Sequence, residues 1–296
     1  MIDNSTIGYS LEGCFVLIGL CILIVHFVRR RRRPAELPVY RLPQRTSAIP
    51  DVMFFFAALV IPMGLAFGSA TLAAKYRWEW GSGRIQLGAT YVQEFAMIAV
   101  ILLYTKFWRP PDQISPALTE DTAEVGGARP PGALAPTDLE PVQILPALKT
   151  GLITFLAAMP LVFLVAAAWQ GILTLCNIPP AHQTIVDMFL GFTTPGMIIL
   201  FIIVAAVLVP LCEEMIFRGG LFRGLRTAIP RPYAIIISAV VFGAAHGDLT
   251  AFFPLVTLGV VFAIAYERTG NIGTVIVAHA LFNLNTLVAL LLGVNA

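Results

Sequence analysis

Residues 207–220 read VLVPLCEEMIFRGG and close an apolar run that begins near residue 196. A run of about 20 mostly apolar residues matches a hydrocarbon core roughly 30 Å thick, so 196–217 reads as a membrane-spanning helix. Two glutamates inside it are unexpected, because each ionisable group at the centre of a span costs roughly 2.5–3.5 kcal/mol on insertion scales. On a helix Glu214 and Arg218 stand at i and i+4 with the acid on the N-terminal side, the favourable order for a pair. Glu213 points about 100° away from Glu214 and has no such partner. One carboxylate is therefore neutralised locally and the other is left for a cavity. Pro210, three residues before Glu213, removes a backbone donor and frees a carbonyl of the preceding turn.

Outward from this run the rest of the chain has the same character. It is 58% hydrophobic and 12% charged over 296 residues, with a mean hydropathy of +0.83. Soluble domains carry about 25% charged residues, so lipid must be part of the solvent. Apolar runs predict an all-α polytopic bundle of about eight transmembrane helices, near 11–28, 52–74, 88–107, 148–176, 196–217, 232–247, 250–266 and 272–292. The first resembles a signal peptide, but its arginines (Arg29 to Arg33) follow the apolar stretch and no small-residue cleavage site comes after. It is expected to remain as an anchor with its N-terminus outside. Of the 19 Lys and Arg residues, 16 then fall in the cytoplasmic segments 29–51, 106–149, 218–231 and 267–271, as the positive-inside rule requires.

Residues 109–147 hold eight prolines, six carboxylates and no aromatic residue, a composition that cannot bury a core and predicts disorder. The expected organisation is a three-helix N-terminal region (1–108), a cytoplasmic linker (109–147) and a five-helix C-terminal domain (148–296). A net charge of +2 is too small to point to nucleic acid. Cys14, Cys21, Cys176 and Cys212 are scattered without a CxxC pair, which excludes a disulfide framework or a zinc knuckle by spacing. There is no GxGxxG, Walker loop, HExxH or internal repeat. Paired broken helices, the usual mark of a transporter, are also missing.

Two further apolar runs carry polar groups. VVFGAAHGD places His246 four residues after Phe242, and its Gly243, Ala244 and Ala245 allow close approach of another helix. VIVAHALFNLN places His279 and Asn283 at i and i+4 on one face, with Asn285 on another. From the cytoplasmic anchors Arg223, Tyr233 and Asn271, a rise of ~1.5 Å per residue puts Glu213 about 15 Å deep, His246 about 19 Å, His279 about 12 Å and Asn283 about 18 Å. Three helices therefore deliver polar groups to one level. A single His or Asn in a span is more often a satisfied interhelical hydrogen bond than a catalyst. Glu214 and Arg218 read as structural, Phe242 as packing or the wall of a site, and His26 and His182 as interface residues.

Glu213, Glu214 and Arg218 (EExxxR), Phe242 and His246 (FxxxH), and His279 and Asn283 (HxxxN), in that order on successive apolar segments, resemble the three motifs of the CPBP family. These are the CAAX proteases and bacteriocin-processing enzymes, including the type II CAAX prenyl endopeptidases. The resemblance covers roughly 196–290 and implies an intramembrane endopeptidase in which Glu213 activates water. The catalytic set would be Glu213, His246, His279 and Asn283. A carboxyl group in an apolar cavity suits general-base work, and Asn283 with His279 could serve the oxyanion. His246 could orient the water or protonate the leaving amine. No metal is expected, since no HExxH pair fixes two ligands on one helix, although Glu213, His246 and His279 could form a three-ligand zinc site. The implied partners are membrane lipid and a membrane-associated or lipidated polypeptide, in a bacterial plasma membrane. The alternative is a non-catalytic protein of the same fold, an immunity factor or a scaffold.

Overall fold

The computed structural model describes residues 3–32, 42, 46–75, 81–108, 143–179 and 194–294. Among the described residues there are eight helices: α1 (Asn4–Arg32), α2 (Ile49–Lys75), α3 (Gly81–Leu103), α4 (Ile144–Leu175), α5 (Pro195–Ala228), α6 (Arg231–Ala245), α7 (Phe252–Thr269) and α8 (Ile272–Leu291). Among the described residues there is no strand, and seven of the helices are long and apolar enough to cross a membrane. α6 is the exception at 15 residues. The polytopic all-α bundle read from hydropathy is therefore what the chain forms. Most of the linker, 109–142, lies outside the described residues, as does His182. Residues 144–147, assigned to the linker by composition, already belong to α4. A cysteine introduced at Thr122 is expected to react only with membrane-permeant reagents in intact cells; labelling by an impermeant external reagent would reverse the topology.

α5 departs most from its expected limits. The segment 218–231 was expected to be a cytoplasmic connection, yet the helix continues to Ala228 with Arg218 and Arg223 both buried. Its continuation is anchored by packing: Phe217, Leu221 and Phe222 are buried, and glycines let α2 come close. A Cβ at Gly220 would stand 2.7 Å from the Phe54 ring, and one at Gly224 would stand 3.0 Å from Asp51 Cβ. Two π-helical turns interrupt the helix, Val204–Leu208 and Met215–Phe222. The first follows from Pro210. With no N–H at 210, the ladder slips by one residue, and the Val209 N–H bonds to the Val204 carbonyl five residues back. In that register the Ala205 carbonyl would need the missing Pro210 donor.

In lipid, helices associate through close packing more than through the hydrophobic effect, and small residues set the crossings. A Cβ on Gly259 of α7 would lie 2.9 Å from the Ala239 backbone of α6, and one on Gly243 would lie 2.7 Å from Val256. Gly151 of α4 meets α8 at Val277 in the same manner. The main core joins Phe155 and Met159 of α4, Phe222 of α5, Phe262 and Tyr266 of α7, and Val275 and Ala278 of α8. A second core joins α2 and α3 to α5 and α6 through Phe54, Phe55, Met97, Ile101, Phe217 and Phe242. The α2–α3 pair is itself tied by the Tyr104 hydroxyl donating to the Asp51 carboxylate and by Phe54 stacked on Tyr104 at 4.1 Å.

Candidate active site

α5, α6 and α8 meet where α5 carries its two adjacent glutamates. Glu214 is fully buried. Its Oε1 accepts from Arg218 Nη1 at 3.0 Å and from His279 Nδ1 at 2.8 Å. The expected i,i+4 pair thus forms, but the structural role assigned to Glu214 was incomplete, since the same oxygen also holds the imidazole from α8. The Arg218 guanidinium also stacks 4.3 Å from the Phe242 ring centre and 5.2 Å from that of Phe262. Its Nη2 donates to the Gly259 carbonyl at 3.4 Å. Cation–π contacts of this kind gain strength when desolvated. The removal of Cβ at Gly259 therefore serves both the helix crossing and the carbonyl that Arg218 reaches.

His246 is placed by the end of α6. The last turn tightens, so the His246 N–H reaches back only to the Gly243 carbonyl. The Phe242 carbonyl, one of the acceptors a helix end leaves over, takes the imidazole Nδ1–H at 2.8 Å. Gly247 then adopts φ +64°, the left-handed conformation that ends helices cheaply only with glycine. FxxxH is therefore a capping arrangement in which Phe242 supplies both a wall and a carbonyl. Its ring lies edge-on to His246 at 4.9 Å and to His279 at 5.9 Å.

Both imidazoles are thereby oriented by acceptors. A carbonyl and a carboxylate can only accept, so Nδ1 carries the hydrogen in each ring and Nε2 is the atom left for chemistry. Both Nε2 atoms face Glu213: Oε2 stands 3.9 Å from His246 Nε2 and 3.7 Å from His279 Nε2. These separations exceed a direct hydrogen bond and suit a bridging water. Glu213 Oε2 is buried and has no hydrogen-bond partner. Its side chain keeps 20% exposure and that of His246 27%, against 4% for His279, so the accessible side of the site is the one lined by Glu213 and His246.

Asn283 is held elsewhere. Its Nδ2 donates to the Ala205 carbonyl at 2.7 Å, the acceptor that Pro210 leaves without a backbone donor. The freed carbonyl read from the sequence thus has an identified partner, and one N–H of the Asn283 amide remains. Asn283 stands one turn along α8 from His279 and does not contact the Glu213 carboxylate.

A zinc ion bound by Glu213, His246 and His279 would need donors about 3.4 Å apart, the edge of a tetrahedron with bonds of roughly 2.0–2.1 Å. The observed spacings are wider, and among the described residues no group of three or more His, Cys, Asp or Glu side chains converges to metal-binding geometry.

Sequence reasoning passed over Glu94 on α3. It is 4% exposed, on the helix that packs against the Val209–Glu214 turn, with the Cys212 thiol as its hydrogen-bond partner. An ionisable residue in an otherwise apolar run is a signal on its own. It was passed over because α3 lies outside the three motifs.

Residues 195–285 match the family model of the type II CAAX prenyl endopeptidases, Rce1-like. All three motifs fall within this segment, and the match supports a CPBP-family membrane protease, as the motif resemblance implied. A Bacillus subtilis protein provisionally named the membrane peptidase YdiL is 38% identical over 84 residues, 28% of this chain and 34% of its own. An uncharacterized protein of Mycoplasma capricolum subsp. capricolum is 33% identical over 105 residues, 34% of this chain and 30% of its own. The chain thus spans about a third of the length of the curated relatives it matches. No solved structure matches it. Together with the seven long apolar helices, these likenesses make it an integral, multi-pass membrane protein.

Proposed function

We propose that the chain is an intramembrane endopeptidase of the CAAX-protease type, acting through a water activated by Glu213. The observation that carries this reading is the convergence of Glu213 Oε2 on two Nε2 atoms at 3.7 and 3.9 Å, each ring fixed from behind by an acceptor at 2.8 Å. A water held between carboxylate and imidazoles loses a proton to Glu213 as its oxygen bonds to the peptide carbonyl carbon. General-base assistance of this kind contributes roughly 10²–10⁴-fold. The developing oxyanion is met by the remaining Asn283 N–H, while His279, with its hydrogen on Nδ1 held by Glu214, turns Nε2 toward the water and orients it. His246, the more exposed ring, receives that proton from Glu213 at Nε2 and passes it to the leaving amine as the C–N bond breaks, which returns Glu213 to its carboxylate form. The products are a carboxylate and an amine. No step requires a metal ion.

The substrate class that fits is a membrane-associated or lipidated polypeptide entering from the cytoplasmic side of a bacterial plasma membrane. It rests on the family match and on the bacterial relatives. The test is cleavage of lipidated and unlipidated peptides in proteoliposomes, with a strong chelator present and absent. Cleavage that survives chelation and is lost in Glu213→Gln is the expected result. Loss on chelation with recovery on zinc would replace the metal-free mechanism, and equal cleavage by Glu213→Gln would return the protein to the scaffold class. Asn283→Ala is expected to lower turnover by roughly 10²–10³ with little change in KM, measured as initial rates on the best peptide.

A further inference from the structure

The buried Glu94 is not explained by packing. α3 lies against the Val209–Glu214 turn of α5, and around this contact Met97, Ile101, Ile216, Phe217 and Phe242 form an apolar cluster. A leucine would fill such a position without the roughly 2.5–3.5 kcal/mol that an ionisable residue costs in a span. Among the described residues Glu94 forms no ion pair. The buried guanidinium of the site, Arg218, is already bound to Glu214 and wedged between two phenyl rings. The hydrogen-bond partner of Glu94 is the thiol of Cys212, itself fully buried and directly before Glu213 in the chain. Its Oε2 has no partner at all, and neither has Glu213 Oε2.

The geometry points to Glu94 as a positioning residue of the site, a neutral carboxyl group from α3 that holds the Cys212–Glu213 turn and fixes where the Glu213 carboxylate lies. Two carboxyl groups with no cation between them do not both carry charge in a buried site. Glu213, which faces the imidazoles, is the one that serves as base, and Glu94 keeps the proton. A neutral carboxyl at this point has a carbonyl oxygen to accept the Cys212 S–H and an O–H to offer toward the site. The arrangement also gives the N-terminal α2–α3 pair a function. It completes the site from outside the segment that matches the peptidase family, and Asp51–Tyr104 and the Gly220 and Gly224 contacts lock it to α5.

This inference rests on the proposed peptidase reading for its kinetic consequence and not for its structural one, so the test has both readouts. Wild type, Glu94→Gln and Glu94→Leu are purified in detergent and compared. Glutamine keeps the size, the neutrality and both hydrogen-bonding functions; leucine keeps only the volume. Both variants are expected to unfold thermally like wild type or later, since replacing an unpaired buried acid by apolar or neutral groups is not destabilising. The infrared spectrum of wild type should contain a protonated-carboxyl band that both variants lack. The Cys212 S–H band should move in Glu94→Leu and stay near its place in Glu94→Gln. On the peptide assay, Glu94→Leu should lose about 10²-fold in kcat at unchanged KM, the order of loss for a reacting group misplaced by about 1 Å. Glu94→Gln should recover most of that loss. A wild-type spectrum without the protonated-carboxyl band overturns the proposal, as do a Glu94→Leu enzyme with full kcat and a Glu94→Gln enzyme no better than Glu94→Leu. Absence of cleavage by wild type, with the infrared bands as expected, would instead refute the peptidase reading and leave the Glu94 contact standing.

Discussion

Replacing Glu213 by glutamine is expected to reduce turnover by roughly 10²–10⁴-fold, the contribution of a general base, with no loss of folded protein. Glutamine keeps the volume and the hydrogen-bonding length of the side chain. The oxygen of the carboxylate that faces the imidazoles, Oε2, is unpartnered and stands 3.7 and 3.9 Å from the nearest imidazole nitrogens. No hydrogen bond of Oε2 is broken and no buried charge is stranded, so stability should stay within about 0.5 kcal/mol. The measurement is initial rates in proteoliposomes beside thermal unfolding of the same preparation. A variant that unfolds early would show that Glu213 is a packing residue; one that cleaves like wild type would remove it from the mechanism.

The adjacent position should behave in the opposite way. Glu214→Gln leaves the Arg218 guanidinium charged, buried and without its carboxylate. Breaking a buried pair from one side costs roughly 3–5 kcal/mol. Two phenyl rings and the Gly259 carbonyl remain around the cation, which places the expected loss at the lower end of that range. Activity should also fall in whatever protein still folds, because His279 loses the acceptor on Nδ1 that points its Nε2 at Glu213. Chemical denaturation in detergent, read against the Glu213→Gln variant, separates the two neighbours. Stability equal to wild type in Glu214→Gln would mean that the Glu214–Arg218 pair is not what holds the α5–α8 contact together.

These two glutamates also mark what can be read without coordinates. The separation of their roles follows from helical geometry alone: Glu214 and Arg218 share a face and Glu213 does not, and α5 is helical there because its apolar run leaves the backbone no other way to satisfy itself in lipid. Apolar run length located eight helices, and helical geometry put His279 and Asn283 on one face and assigned four polar groups on three helices a similar depth. Composition and apolar run length were enough for a polytopic bundle, and the EExxxR, FxxxH and HxxxN motifs were enough for the family resemblance.

What depended on the third dimension were the contacts between helices, because spacing along one helix says nothing about which neighbour supplies a partner. The His279 bond to Glu214 joins α8 to α5 across 65 residues of sequence. Asn283 satisfies the Ala205 carbonyl because Pro210 orphans an acceptor on a different helix. Helix α5 runs on through Arg218 to Ala228 because α2 packs against Gly220 and Gly224; no local signal distinguishes that from a loop rich in arginine. Glu94 was visible in the sequence as a lone acid in an apolar run, but its relation to Glu213 was not. Their shared position comes from the docking of α3 onto α5, and in lipid that docking is set by the fit of side chains across the interface and not by the hydrophobic periodicity of either helix.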